Sequence, residues 1–154
     1  MLFLNIQKKG QEANVNKIIM TNKMNLFLDD KRMPSDAYIE NLHELGSQIF
    51  INREWEVVEN YNEFVKWIID NGIPEMVSFD HDLAPSHYTP EYLWSDYEKS
   101  KEWQDAQIHT EKTGAECAEW LVNYCLEKNI SLPFWTVHSS NPVGRDKIIR
   151  ILIQ

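Results

Sequence analysis

Ser78-Phe79-Asp80-His81-Asp82-Leu83 is an apolar strand ending that runs directly into two carboxylates flanking an imidazole. Met24-Asn25-Leu26-Phe27-Leu28-Asp29-Asp30 has the same layout earlier in the chain, and Trp135-Thr136-Val137-His138-Ser139-Ser140 echoes it later. Each time a short, buried-looking strand delivers ionisable groups at its C-terminal end. In open α/β sheets the ligand crevice lies outside the carboxyl ends of the strands. Three such endings in one domain predict a site.

Working outward, the elements between these strands alternate in type. Leu26 to Leu28 reads as a strand, and Ser35-Asp36 caps a short helix or turn running toward Gly46. Gln48 to Asn52 reads as a second strand, with Trp55 to Val58 leading into the next element. From Asn60 to Asn71 the apolar residues Tyr61, Phe64, Val65, Ile68 and Ile69 recur at helical spacing, and Gly72 closes the stripe. Met76 to Phe79 is the next strand. Thr113-Gly114 opens a helix with Cys117, Ala118, Leu121, Val122, Cys125 and Leu126 on one face. Leu132 to Val137 is another strand, and Asn141-Pro142 starts a final helix with the stripe Val143, Ile148, Ile151 and Leu152. This alternation predicts an α/β fold with a doubly wound, mainly parallel sheet.

Two segments stand apart. Residues 1–23 are polar and without period, and read as an appended extension or as an edge strand from Leu2 to Ile6; Met20 or Met24 offers an alternative start. The domain proper is 24–154. Within it, 84–112 is a long insertion loop with a helical piece that carries Tyr88, Tyr92, Trp94, Tyr97 and Trp103 among many charges. Connections this long are usually lids or binding loops.

Composition narrows the function. The 154 residues are 43% hydrophobic and 25% charged, with a net charge of −9. One soluble domain is expected, without the ~20-residue apolar run of a membrane helix or the charge order of a signal peptide. An acidic chain has no general attraction for a phosphate backbone, so duplex tracking is not expected. A small phosphate-bearing ligand remains compatible, because a metal or a few local cations reverse the field. Cys117 and Cys125 lie too far apart along a helix for a disulfide, so both are expected as reduced thiols, in keeping with a cytoplasmic protein.

Asp29-Asp30 after an apolar strand is either a solvated turn or half of a site for a hard divalent cation, which prefers carboxylate oxygen. With Asp80 arriving from a neighbouring strand, the metal reading gains. In Asp80-His81-Asp82 the side chains alternate, so if the two aspartates share a face His81 points the other way unless the chain turns. His81 between carboxylates is a candidate for catalysis or ligation. His138-Ser139 holds the equivalent place at its own strand end. Asn141 to Gly144 turns into a helix whose first N–H groups favour an anion. Thr113-Gly114 is either a second such site or a simple N-cap. Lys147 and Arg150 read as a solvated helix face. Zinc lacks its usual spacings here, and neither a nucleophile elbow nor a glycine-rich phosphate loop is present.

Leu-Phe-Leu-Asp-Asp-Lys-Arg-Met-Pro (26–34), Ser-Phe-Asp-His-Asp-Leu (78–83), Thr-Gly (113–114) and Val-His-Ser-Ser-Asn-Pro-Val-Gly (137–144) together resemble the cyclic-phosphate-processing receiver-like family, a divergent branch of the response-regulator receiver fold found in phages and bacteria. The resemblance covers residues 24–154 and implies a flavodoxin-like sheet with helices on both faces. It implies Mg²⁺ or Mn²⁺ on Asp29, Asp30 and Asp80, with Asp80 at the position where signalling receivers accept a phosphoryl group and Ser139 at their hydroxyl position. The chain departs from those receivers: His81 and Asp82 crowd the acceptor, His138 precedes the hydroxyl residue, and no fifth strand supplies the usual lysine.

The expected function is therefore metal-assisted phosphoesterase chemistry on a 2′,3′-cyclic phosphate RNA end, a cyclic nucleotide or a cyclic dinucleotide. His81, His138, Asp82 and Ser139 are the catalytic candidates, with His81 and His138 as base and acid. Arg32, Thr113, Gly114, Asn141 and Gly144 are the candidates for holding the substrate. Tyr88 and Trp94 either stack a base or pack the loop onto the domain. The alternatives are a module that binds a nucleotide signal without cleaving it and a phospho-accepting receiver.

Overall fold

The computed structural model describes residues 24–108 and 110–153. The reading of residues 1–23 lies outside the described residues. Four parallel strands form one sheet: β1 (Asn25–Leu28), β2 (Trp55–Val58), β3 (Met76–Phe79) and β4 (Phe134–Val137), in the order β2-β1-β3-β4. The register pairs Leu28 with Val58 on one side and Phe79 on the other, and Phe79 with Val137. The chain runs from β1 to one side and then returns to the other, so the order reverses between β1 and β3. Helices α1 (Pro34–Glu40), α2 (Ile49–Asn52), α3 (Tyr61–Asn71), α4 (Tyr97–Ala106), α5 (Gly114–Lys128) and α6 (Pro142–Leu152) complete it.

Both faces of the sheet are covered, as the doubly wound reading expects. Alternation sends Leu26, Leu28, Val77 and Phe79 to one face, where they meet Phe64 and Ile68 of α3, Leu121 of α5 and Ile148 of α6. Each of these helix side chains is fully enclosed, and burial of that kind contributes about 1.5–3 kcal/mol apiece. Phe27 points to the opposite face and packs with Ala37 of α1 and Phe50 of α2. Ile69 and Leu126, counted on the apolar stripes of α3 and α5, lie exposed at the stripe margins.

The second strand is displaced from its expected place. Gln48 to Asn52 does not pair; Ile49–Asn52 forms one helical turn that drops Phe50 onto Phe27, and Trp55–Val58 takes the strand position. A run as short as Ile49-Phe50-Ile51 carries no period that separates helix from strand. The first helix likewise starts one residue earlier than Ser35. Pro34 occupies its first turn, and the Asp36 carboxylate accepts the Met33 N–H at 2.8 Å. The 84–112 insertion holds α4 and two single 3₁₀ turns, Pro85–His87 and Glu91–Leu93. Cys117 and Cys125 are free and buried in α5, and burial pushes both thiols up, away from the reactive thiolate.

Two glycines decide how closely α5 and α6 approach the segment after β3. A β-carbon on Gly114 would lie 1.8 Å from the Asp80 carbonyl oxygen, and one on Gly144 would lie 2.2 Å from Cγ of His81. The Gly114 N–H donates to the His81 carbonyl at 2.8 Å, so the start of α5 is tied to the chain between Asp80 and Asp82. Gly114→Ala is expected to destabilise the domain by about 1–3 kcal/mol, the usual cost of overpacking, measured by urea denaturation.

Candidate functional site

The hydrogen-bond ladder continues one residue beyond each strand. Asp29 donates its N–H to the Val58 carbonyl at 3.0 Å, Asp80 to Leu28 at 2.9 Å and His138 to Phe79 at 2.9 Å. The first residues after β1, β3 and β4 therefore stand in one row, and strand alternation turns all three side chains to the face that carries Phe27. All three are buried. The row straddles the reversal point of the sheet, where ligands of doubly wound folds bind.

Asp29 is the most heavily bonded of the group. Its Oδ1 accepts the backbone N–H groups of Lys31 and Arg32 at 2.9 and 2.8 Å. Its Oδ2 accepts Nε of Arg32 at 2.8 Å and meets Nε2 of His138 at 3.0 Å. Burial pushes this carboxyl up, but the bond from His138 and the N–H groups of Arg32 and Lys31 outweigh it and hold Asp29 below its ordinary range. Asp80 has the opposite balance. Its burial, with Asp29 and Asp82 nearby, lifts it to about 7 even though Nη2 of Arg32 lies 3.1 Å from its Oδ1. Asp30 is also raised, by burial and then by Asp29, and its Oδ1 accepts the Tyr88 hydroxyl at 3.3 Å.

His138 lies behind this cluster. Its Nδ1 is 2.6 Å from Oγ of Ser78, its Nε2 faces Asp29, and its ring stacks on Phe27 with centroids 4.2 Å apart. Desolvation holds its pKa below the ordinary value. The consistent protonation has Nε2–H donating to ionised Asp29 and Nδ1 accepting from the Ser78 hydroxyl. Ser78 was not singled out in the sequence. Its signal was a polar residue in the middle of a buried strand, a place that requires a partner.

The alternation foreseen for Asp80-His81-Asp82 determines which space each residue reaches. Asp80 and Asp82 line a 230 Å³ cavity together with Lys31, Arg32, Glu40, Tyr88 and Ser140. His81 lines a separate cavity of 690 Å³, beside Lys112, Lys147 and Arg150. The link between the two sides is Asp82, whose Oδ1 meets Nδ1 of His81 at 2.8 Å and accepts from Nδ2 of Asn141 at 3.1 Å. Neither His81 nor His138 lines the cavity that Asp80 and Asp82 border.

The residues expected to hold the substrate divide in two. Arg32 is in place: Nη1 reaches Glu40 at 2.7 Å and Ser140 Oγ at 3.3 Å, at the mouth of the smaller cavity. The other four are committed within the fold. The Gly114 N–H is spent on His81, and the Thr113 N–H on Oε2 of Glu116 at 2.8 Å. Asn141 caps α6 by accepting the Gly144 N–H at 3.0 Å. Ser139 Oγ accepts the Asn141 N–H at 3.2 Å, inside the same turn. A helix start offers an anion only the N–H groups its cap leaves open, and these two have caps. Glu40, eight residues beyond Arg32, gave no sequence signal because only the fold brings the two together.

One oxygen each from Asp29, Asp30 and Asp80 can be chosen so that all lie within 4.8 Å of one another. Three hard oxygen donors fit Mg²⁺ or Mn²⁺ in number and chemistry. Arg32 competes for this place, since it already uses Oδ2 of Asp29 and Oδ1 of Asp80. Among the described residues no helix is long and apolar enough to cross a membrane.

No curated protein and no solved structure matches the chain. Residues 24–154 match the model of the cyclic-phosphate processing receiver domain, the same span that the strand-end motifs marked out. With the parallel sheet in receiver order and paired acids at its reversal point, the chain belongs to the cyclic-phosphate processing receiver domain family.

Proposed function

We propose that this domain opens a cyclic phosphate ester by metal-assisted hydrolysis in the 230 Å³ cavity. The observation that carries the reading is the convergence of Asp29, Asp30 and Asp80 beside the Arg32 guanidinium, at the reversal point of the sheet. A divalent cation on these carboxylates would neutralise phosphate oxygens and acidify an attacking water. Arg32 grips a non-bridging phosphate oxygen through Nη1, which already faces the cavity mouth. Asp82, oriented by His81 and Asn141, takes the proton of the attacking water. Water adds at phosphorus, one ester P–O bond opens, and the sugar oxygen leaves with the electron pair and takes up a proton from solvent or the Lys31 ammonium.

The two histidines change roles in this reading. His138 holds Asp29 in place from behind, and His81 orients Asp82. The base passes to Asp82 because it is the ionisable residue of the 78–83 segment that faces the cavity together with Asp80. Recovery of an intact ligand after tight binding would instead favour the non-cleaving module, and covalent labelling of Asp80 by a small phosphodonor would favour the phospho-accepting receiver.

Three outcomes test the reading. Product analysis with 2′,3′-cyclic nucleotides should show ring opening that EDTA abolishes, and Asp82→Asn should lower kcat by about 10²–10⁴-fold, the usual share of a general base. Asp80→Asn relieves the crowding of Asp80 by Asp29 and Asp82 and leaves Arg32 paired with Asp29 and Glu40, so it should raise the melting temperature without metal and erase the stabilisation by Mg²⁺; in the wild type that gain is about 2.7 kcal/mol at a hundred times Kd. Arg32→Ala should bind Mn²⁺ more tightly by calorimetry and yet turn over more slowly, because the cation loses a competitor while the phosphate loses its clamp.

A further inference from the structure

We infer that the 84–112 insertion builds a subsite for a single nucleobase beside the carboxylate cavity, so that the ligand is a cyclic phosphate carried on a nucleoside. This inference rests on the reading above for the phosphate half of the ligand.

A second cavity, of 350 Å³, adjoins the first and shares Asp82, Tyr88 and Ser140 with it. Its size is at the small end of small-molecule pockets, which suits one ring system. The rest of its wall is formed by Trp94, Tyr97, Pro142 and Val143, with Thr89, Ser100 and Asn141 as its polar members. Apolar walls with a few polar groups at the rim are the usual setting for a flat heterocycle.

The rings are fixed in advance, each by its own polar atom. Nε1 of Trp94 donates to the Thr89 carbonyl at 2.8 Å, the Tyr97 hydroxyl donates to Asp146 at 2.6 Å, and the Tyr88 hydroxyl reaches Asp30. Gln104 braces the frame from below, since its Nε2 donates to Oγ1 of Thr89 at 2.9 Å and to Oδ1 of Asn141 at 2.8 Å. A pocket whose side chains are already ordered loses little entropy when a ligand enters.

Packing the loop onto the domain does not account for these aromatics. Leu93 is the enclosed residue of this turn, 9% exposed, whereas its neighbour Trp94 is 66% exposed. A large ring pinned at its nitrogen and left open on its surface is the arrangement of a stacking platform. Charge separates the two halves of the ligand. The phosphate meets Arg32 in one cavity, and the uncharged base meets rings in the other, with Asp82 and Ser140 between them.

The test compares four probes: adenosine 2′,3′-cyclic phosphate, a short oligoribonucleotide ending in the same group, glycerol 1,2-cyclic phosphate without a base, and adenosine without a phosphate. In Trp94→Ala, affinity for the nucleotide relative to the glycerol ester should fall about 5- to 150-fold, and Trp94→Phe should restore most of it. Tighter binding of the mononucleotide or of the oligonucleotide identifies where the base comes from, and a loss in Trp94→Ala with either supports the subsite. An equal loss for the baseless ester, or none for the nucleotide, overturns the subsite, while continued opening of the glycerol ester leaves the hydrolytic reading standing. If no cyclic phosphate is opened, the hydrolytic reading falls. Adenosine then judges the subsite alone: binding that weakens in Trp94→Ala supports it, and absence of binding overturns it. Should Trp94→Ala fail to fold, Trp94→Leu keeps the apolar bulk without the ring and serves the same comparison.

Discussion

The Arg32 guanidinium lies between two buried carboxylates, and the local architecture is arranged around that contact. Asp29 and Asp80 follow adjacent parallel strands, so the sheet register itself forces them together. Removing one partner of a buried ion pair costs about 3–5 kcal/mol, because the remaining charge is left out of water and unpaired. Arg32 pairs with both acids, and Glu40 holds its far end. His138 supplies a neutral donor on the other side of Asp29. The cluster still carries more negative than positive charge, and three of its carboxylates offer oxygens within 4.8 Å of one another.

The second constraint is the tight approach of α5 and α6 to the segment after β3. Gly114 and Gly144 read in sequence as residues that would leave N–H groups open to an anion. They act instead through the absence of a β-carbon, which lets the Asp80 carbonyl and the His81 ring lie against the two helices. That contact fixes the direction of each side chain in Asp80-His81-Asp82. The two aspartates face the Arg32 cavity, and the imidazole faces the larger one. The histidine between two acids thus turns away from Asp80 and keeps its contact with Asp82 through Nδ1.

Much of the architecture was legible in the residues. Apolar runs closed by Asp29, Asp80 and His138 marked three of the four strands, and helical stripes with Gly72, Thr113 and Asn141 as stops and starts located α3, α5 and α6. The second strand was misplaced, because a run of three apolar residues has no period and only the pairing of Trp55–Val58 beside β1 decides the matter. Within the site, the three aspartates and Arg32 were visible as residue types at strand ends. Ser78, Glu40 and Ser140 were not singled out, since their roles depend on partners far away in the chain.

By itself the sequence determined which chemistry arrives at the C-terminal edge of the sheet, because period and strand endings are local properties of the chain. The tertiary structure alone decided which of those groups face one another. Register across the parallel ladder brings Asp29, Asp80 and His138 into one row, and the close packing at Gly114 and Gly144 turns His81 away from it. Distances between side chains on different strands are set by hydrogen-bond register and by the space two missing β-carbons leave, and neither is encoded in any one segment.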